Sequence, residues 1–239
     1  MKVRWTSRAA ALGAVCVALA GAGLARAASY PTMAPVGDYL IADRATEIAL
    51  ARTAAAPSVS ADATVLVLGP KGYETGAPGK NGFVCIVERA WFSGLTDDGF
   101  WNPKLRAPDC YNPEAARSVL PVFLTRTRWA LEGASQSEIR KRTRALMAAG
   151  KIPAPAAGSM NYMMSKQGYL GDIPHGPWHP HVMFYMPPSV HTSDWGADLP
   201  GAHVASSEAG IDPYTMFYVL VAGWSDGTPD ERSGVKPAM

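Results

Sequence analysis

The sequence predicts an α+β fold, a mainly antiparallel sheet with helices packed on one face. Three observations carry that expectation. Strand-like apolar runs occur at 64–68, 83–87, 160–165, 180–186 and 215–222. Helix-like segments occur at 38–56 and 112–150, without the strict strand–helix alternation of a parallel sheet. The chain is 48% hydrophobic and only 18% charged, enough to bury a core over most of its 239 residues.

The first 27 residues read as a segment outside the fold. Lys2, Arg4 and Arg8 precede an apolar run from Ala9 to Ala25, and Ala25-Arg26-Ala27 has the small residues of a cleavage site. Positive start, apolar stretch and A-x-A together describe a secretory signal peptide, cleaved after Ala27. The run is short and rich in Ala and Gly, poorly suited to span a bilayer. The expected organisation is a signal peptide at 1–27 and a single α+β domain at 28–239, periplasmic or secreted, with no stable membrane insertion of the mature chain. The segment takes four of the 22 basic residues and none of the 20 acids. That leaves 18 against 20, a net charge of −2. A near-neutral chain has no general electrostatic reason to bind nucleic acid.

Each element has its own signal. In the 38–56 helix, Ile41, Ala45, Ile48 and Ala49 share a face and Pro57 stops it. Thr64–Leu68 and Phe83–Val87 are continuous apolar strands. Five glycines from Gly69 to Gly82 lie between them, and the expected pairing is antiparallel through this long connection. Asn112 caps the next helix and Pro113 occupies its first turn, while Pro121 kinks or splits it. Ser135-Gln136-Ser137-Glu138 is a capping box for another helix that ends at Gly150. The Arg140, Lys141, Arg142 and Arg144 cluster on that helix reads as a solvated face rather than a nucleic-acid patch. Pro153 to Gly158 is a linker, after which strands return.

Cys85 and Cys110 remain once Cys16 leaves with the signal. In an oxidising compartment they form either a disulfide or two separate thiols, and the sequence leaves both open.

All five His fall between 175 and 203. His179-Pro180-His181 is the informative part. If 179–186 is extended, His179, His181, Met183 and Tyr185 share one face. Two His at i and i+2 have Cα atoms about 6.5–7 Å apart, close enough for both imidazoles to reach one metal ion. His175, His203 and Glu88 are the remaining candidate ligands. Three protein ligands with one open position is the arrangement of a catalytic metal, here zinc or copper. Met160, Met163, Met164, Met183 and Met186 add thioethers that favour copper, although Met also fills cores. The competing reading of the histidines is a loop whose rings bond to backbone, leaving a metal-free module that binds a small molecule or a protein.

Other motifs point to structure. Gly223-Trp224-Ser225-Asp226-Gly227 matches a nucleophile elbow, but no His follows Ser225 and no helix can start at Thr228-Pro229. It reads as a turn, as does Asp97-Asp98 among Trp91, Phe92, Phe100 and Trp101. The glycines at 69–82 lack the phosphate-loop pattern. The long segment from Pro187 to Pro213 has no periodicity and reads as an ordered functional loop.

Gly79-Lys80-Asn81-Gly82-Phe83-Val84-Cys85 with Glu88-Arg89-Ala90-Trp91, and Met163 to Leu170 with Trp178-His179-Pro180-His181, resemble a family of uncharacterised exported bacterial proteins. The resemblance covers most of the mature chain. It implies a bacterial source and an exported location, and it brings no known activity and no site residues.

Overall fold

Asp43 opens the first helix. Its carboxylate accepts from the backbone N–H groups of Ala45 and Thr46, satisfying donors that a helix start leaves unpaired. Helix α1 is therefore Arg44–Arg52, shorter than the expected 38–56 segment, and Val36–Tyr39 forms a separate 3-10 turn. Pro57 begins α2, Pro57–Ser60, because a missing N–H costs nothing in a first turn. The computed structural model describes residues 30–169, 179–197, 199, 204–207 and 212–231. The expected signal peptide lies outside the described residues.

The eight strands are β1 Thr64–Gly69, β2 Gly72–Ala77, β3 Val84–Glu88, β4 Ala107–Tyr111, β5 Met160–Met163, β6 His181–Met186, β7 Val204–Ser207 and β8 Thr215–Leu220. They form one sheet in the order β2-β1-β3-β4-β5-β6-β8-β7. The fold is α+β with a mainly antiparallel sheet. One pair differs from expectation: β1 and β3 run parallel, through Thr64↔Val84 and Val65↔Cys85. The glycine-rich connection contains β2, which folds back on β1 as a hairpin. Gly72, at φ +134°, makes the tight return. The chain then crosses the start of β1 so closely that a Cβ at Gly79 would lie 2.1 Å from the Thr64 nitrogen. That approach delivers β3 to the far side of β1 in the same direction.

Three helices follow β4. Asn112 caps α3, Pro113–Ser118, and accepts from the Ala115 N–H at 2.9 Å. The break before α4, Leu120–Leu131, falls beside Pro121, so the proline splits the helix. Ser135 caps α5, Gln136–Ala148, accepting from the Glu138 N–H at 3.2 Å. The Glu138 carboxylate turns outward to Arg142 at 3.0 Å. Ile139 and Thr143 carry the buried side of α5, while Lys141 and Arg144 are exposed. This is the solvated face that the charge pattern predicts. No helix among the described residues is long and apolar enough to cross a membrane.

Two apolar clusters hold the sheet. The larger joins Ile86, Tyr111, Met163 and Met183 to Val119, Leu120 and Phe123 of the α3–α4 region. The smaller joins Ala51, Val65, Val67 and Val87 around Cys85 and Cys110. α1 contributes to this second cluster and covers the opposite face at the β1–β3–β4 end of the sheet. Cys85 and Cys110 lie directly opposite across β3–β4 and are joined by a disulfide.

The Gly223–Gly227 motif is a turn. Its Ser225 hydroxyl donates to the Thr53 carbonyl at 2.6 Å, a structural bond between distant segments. Asp97 likewise closes a local turn, accepting from the Gly99 N–H. The 187–213 segment is not all loop, since it contains β7, which pairs with β8 beyond it.

Candidate functional site

In antiparallel strands, directly paired residues point to the same side. The register places Glu88 of β3 beside Ala107 of β4, with Asp109 and Tyr111 two and four residues on. It carries the same face through Asn161 and Met163 of β5, then His181, Met183 and Tyr185 of β6, then Tyr218 and Met216 of β8. These side chains and the α4 region enclose a cavity of about 280 Å³. Phe92, Leu105, Phe123, Met163, Met183 and Met216 supply its apolar wall, and Glu88, Arg89, His181, Tyr185, Tyr214, Tyr218 and Asp212 its polar points.

Glu88 and Asp109 form the electrostatic centre. The Tyr111 hydroxyl donates to Glu88 Oε1 at 2.7 Å. Asn161 Nδ2 donates to Asp109 Oδ2 at 2.6 Å and to the Tyr185 hydroxyl at 2.9 Å. Asp109 is wholly buried, and its Oδ1 has no donor among the described residues. The two carboxyl groups lie close together on this face, and a proton on one of them is favoured over two charges side by side. Burial pushes the Glu88 carboxyl up to about 7, partly offset by its bonds from Asp109 and Tyr111. Burial, the Glu88 charge and the bond to Glu88 hold Asp109 well above the usual carboxylate range. Asp109 therefore keeps that proton. The surrounding hydroxyls stay neutral, with burial raising Tyr214 and Tyr218 to about 12.

The two histidines of the H-P-H motif part company. β6 begins at His181, so its alternation carries His181, Met183 and Tyr185 to the cavity as expected. His179 precedes the strand, and its Nδ1 lies 2.5 Å from Oδ2 of the buried Asp230. His181 Nδ1 donates to the His179 carbonyl at 2.7 Å, which makes Nε2 the basic nitrogen of that ring. Burial lowers the His181 pKa, so the ring is neutral near pH 7. Of the five predicted ligands, His181 and Glu88 reach the same cavity and His179 turns to Asp230. His175 and His203 lie outside the described residues. Among the described residues no group of three His, Cys, Asp or Glu side chains is placed to hold a metal ion.

Two further charged pairs flank the site. Arg89, the residue after Glu88, is wholly buried and donates to Glu47 Oε1 at 2.8 Å, to the Tyr39 carbonyl at 2.6 Å and to the Val87 carbonyl. Arg126 is also wholly buried and donates to Asp212 Oδ1 at 2.6 Å, with its guanidinium over the Phe123 ring.

Sequence reasoning missed Asp109, Tyr111 and Asn161. The available signal was Ala107-Pro108-Asp109-Cys110-Tyr111, an acid set inside an otherwise strand-like run; Pro108 disguised it as a loop. Comparison of the chain with protein-family models, with curated proteins and with solved structures finds no match.

Proposed function

We propose that the chain is an exported bacterial protein whose cavity binds a small molecule. The carrying observation is the cavity itself: about 280 Å³, mostly apolar and aromatic, with a few converging polar groups. Glu88, His181 and Tyr185 supply orienting polar groups in its lining. Export is supported by the signal-like first 27 residues and by the Cys85–Cys110 disulfide.

The experiment is a titration of the purified protein with toluene and a panel of small amphiphiles, followed by methyl NMR of its methionines. Saturable shifts at Met163, Met183 and Met216 are expected. Met216→Trp, which fills the rim of the cavity, should remove them without unfolding the protein. Absence of saturable shifts with every compound refutes the reading.

A second reading is a metal-dependent enzyme with zinc or copper, and it rests on Glu88 and His181 lining one cavity. Its test is metal content by mass spectrometry after incubation of untagged protein with either ion. Below about a tenth of an equivalent the reading fails.

A further inference from the structure

We infer that the cavity takes a small organic monocation, an alkylammonium whose charge sits at Glu88 and whose alkyl groups face the aromatic wall. This inference rests on the small-molecule reading above and names the ligand class of that site.

The charges around the cavity do not balance. Arg89 is matched by Glu47, and three groups of its guanidinium are already committed to Glu47, Tyr39 and Val87. Arg126 is matched by Asp212. His181 is neutral, with its Nδ1 proton on the His179 carbonyl. The tyrosines that face the pair, Tyr111, Tyr185 and Tyr218, keep their protons, as does Tyr73 from β2. Two acids remain, Glu88 and Asp109, with one proton between them. They carry one net negative charge, and no Lys or Arg among the described residues forms an ion pair with either. A buried charge without a counter-ion is costly, and a cation that enters beside it removes the cost.

The rest of the cavity suits that guest. Glu88 is not sealed in; part of its surface remains accessible and lines the cavity, whereas Asp109 behind it is wholly buried. The ligand therefore meets Glu88 directly and Asp109 through it. Tyr185, Tyr214 and Tyr218 bring aromatic rings to the lining, and aromatic rings attract cations, alkylammonium groups above all, while Phe92 and Phe123 stack on each other as apolar wall. Methionine sulfurs at 163, 183 and 216 add polarizable contact. The apolar wall favours alkyl substituents over a bare, strongly hydrated ammonium.

The test compares choline with its neutral carbon isostere, in which a tert-butyl group replaces the trimethylammonium. Toluene serves as a charge-free probe of the cavity. Calorimetry of the purified protein at pH about 8 should show choline bound roughly tenfold or more tighter than the isostere. At pH about 5.5, where Glu88 is protonated, that advantage should disappear. Glu88→Gln should abolish the advantage at both pH values and still bind toluene. Should Glu88→Gln not fold, the two pH arms on the unaltered protein decide the matter. Equal affinity for choline and the isostere at pH about 8 overturns the monocation and leaves the binding cavity standing. So does binding of toluene with no binding of choline. Failure of all three probes overturns both readings.

Discussion

Glu88 and Arg89 are neighbours in the chain, and they solve the problem of a buried charge in opposite ways. Arg89 points to a prepared partner: Glu47 from α1 supplies the countercharge and two carbonyls take further donors. That charge is matched, hydrogen-bonded and closed to solvent. Glu88, on the lining of the same cavity, faces a second acid and a set of hydroxyls, and the local remedy is a proton rather than a cation. A matched pair binds two elements together. An unmatched pair beside a cavity retains an electrostatic demand that a ligand can meet. Burial of a charge does not distinguish structure from function; what faces it does.

The comparison can be broken in four ways, in order of expected size. Arg89→Met should destabilise the protein by about 3–5 kcal/mol, because it strands the Glu47 carboxylate in the core. Urea unfolding measures this, and the double variant Glu47→Leu/Arg89→Met should recover most of the loss. Recovery of nothing would mean that the arginine acts through its carbonyl bonds alone. Second, replacing Cys85 and Cys110 together by Ala should cost about 3 kcal/mol, since the bridge closes a sequence separation of 25 residues. Without reductant, the unaltered protein should take up no alkylating reagent at these positions.

The third prediction concerns Glu88 and its pH dependence. Its folded pKa of about 7 lies above the ordinary carboxylate value. Below pH about 4.5 the group is protonated in both states and imposes no penalty. As pH rises towards 7, the unfolded chain loses this proton more readily than the folded protein does. Stability therefore falls across that window and levels off above it. Glu88→Gln should be more stable than the unaltered protein by on the order of 2 kcal/mol at pH about 8, and equal to it near pH 4. Asp109 titrates as well, so the fall should be shallower in the variant rather than absent. A variant that is less stable at every pH would place Glu88 with Arg89 among the structural charges.

The smallest effect separates the two histidines. His179→Ala should cost about 1–2 kcal/mol by removing the bond between His179 and the buried Asp230, and should leave choline affinity unchanged. A loss of ligand affinity would return His179 to the site.

Much of the helical structure is legible in the sequence. Asn112-Pro113, Pro121 and Ser135 act within one or two turns, and each starts or splits a helix where local chemistry requires. Asp43 carried the same signal, but the apolar pattern from Ile41 extended the helix past its own cap. The β1–β3 direction was not legible. Glycines announce a turn, and whether the turn contains a hairpin depends on the packing of Gly79 against β1. The site was legible in halves. Alternation along β6 delivers His181 and Tyr185, a matter of strand period. Asp109 reaches Glu88 only because β3 and β4 pair in one register, and His179 leaves the site only because Asp230, near the far end of the chain, comes to meet it.

The sequence by itself determined the kind of fold, the helix starts at Pro113 and Gln136 and the faces of its strands. These follow from contacts within a few residues, where backbone sterics and period leave few choices. Tertiary structure alone decided which acid stands beside a base and which beside another acid. Adjacent residues on a strand face opposite ways into different surroundings, and electrostatic energy depends on the neighbour across the gap.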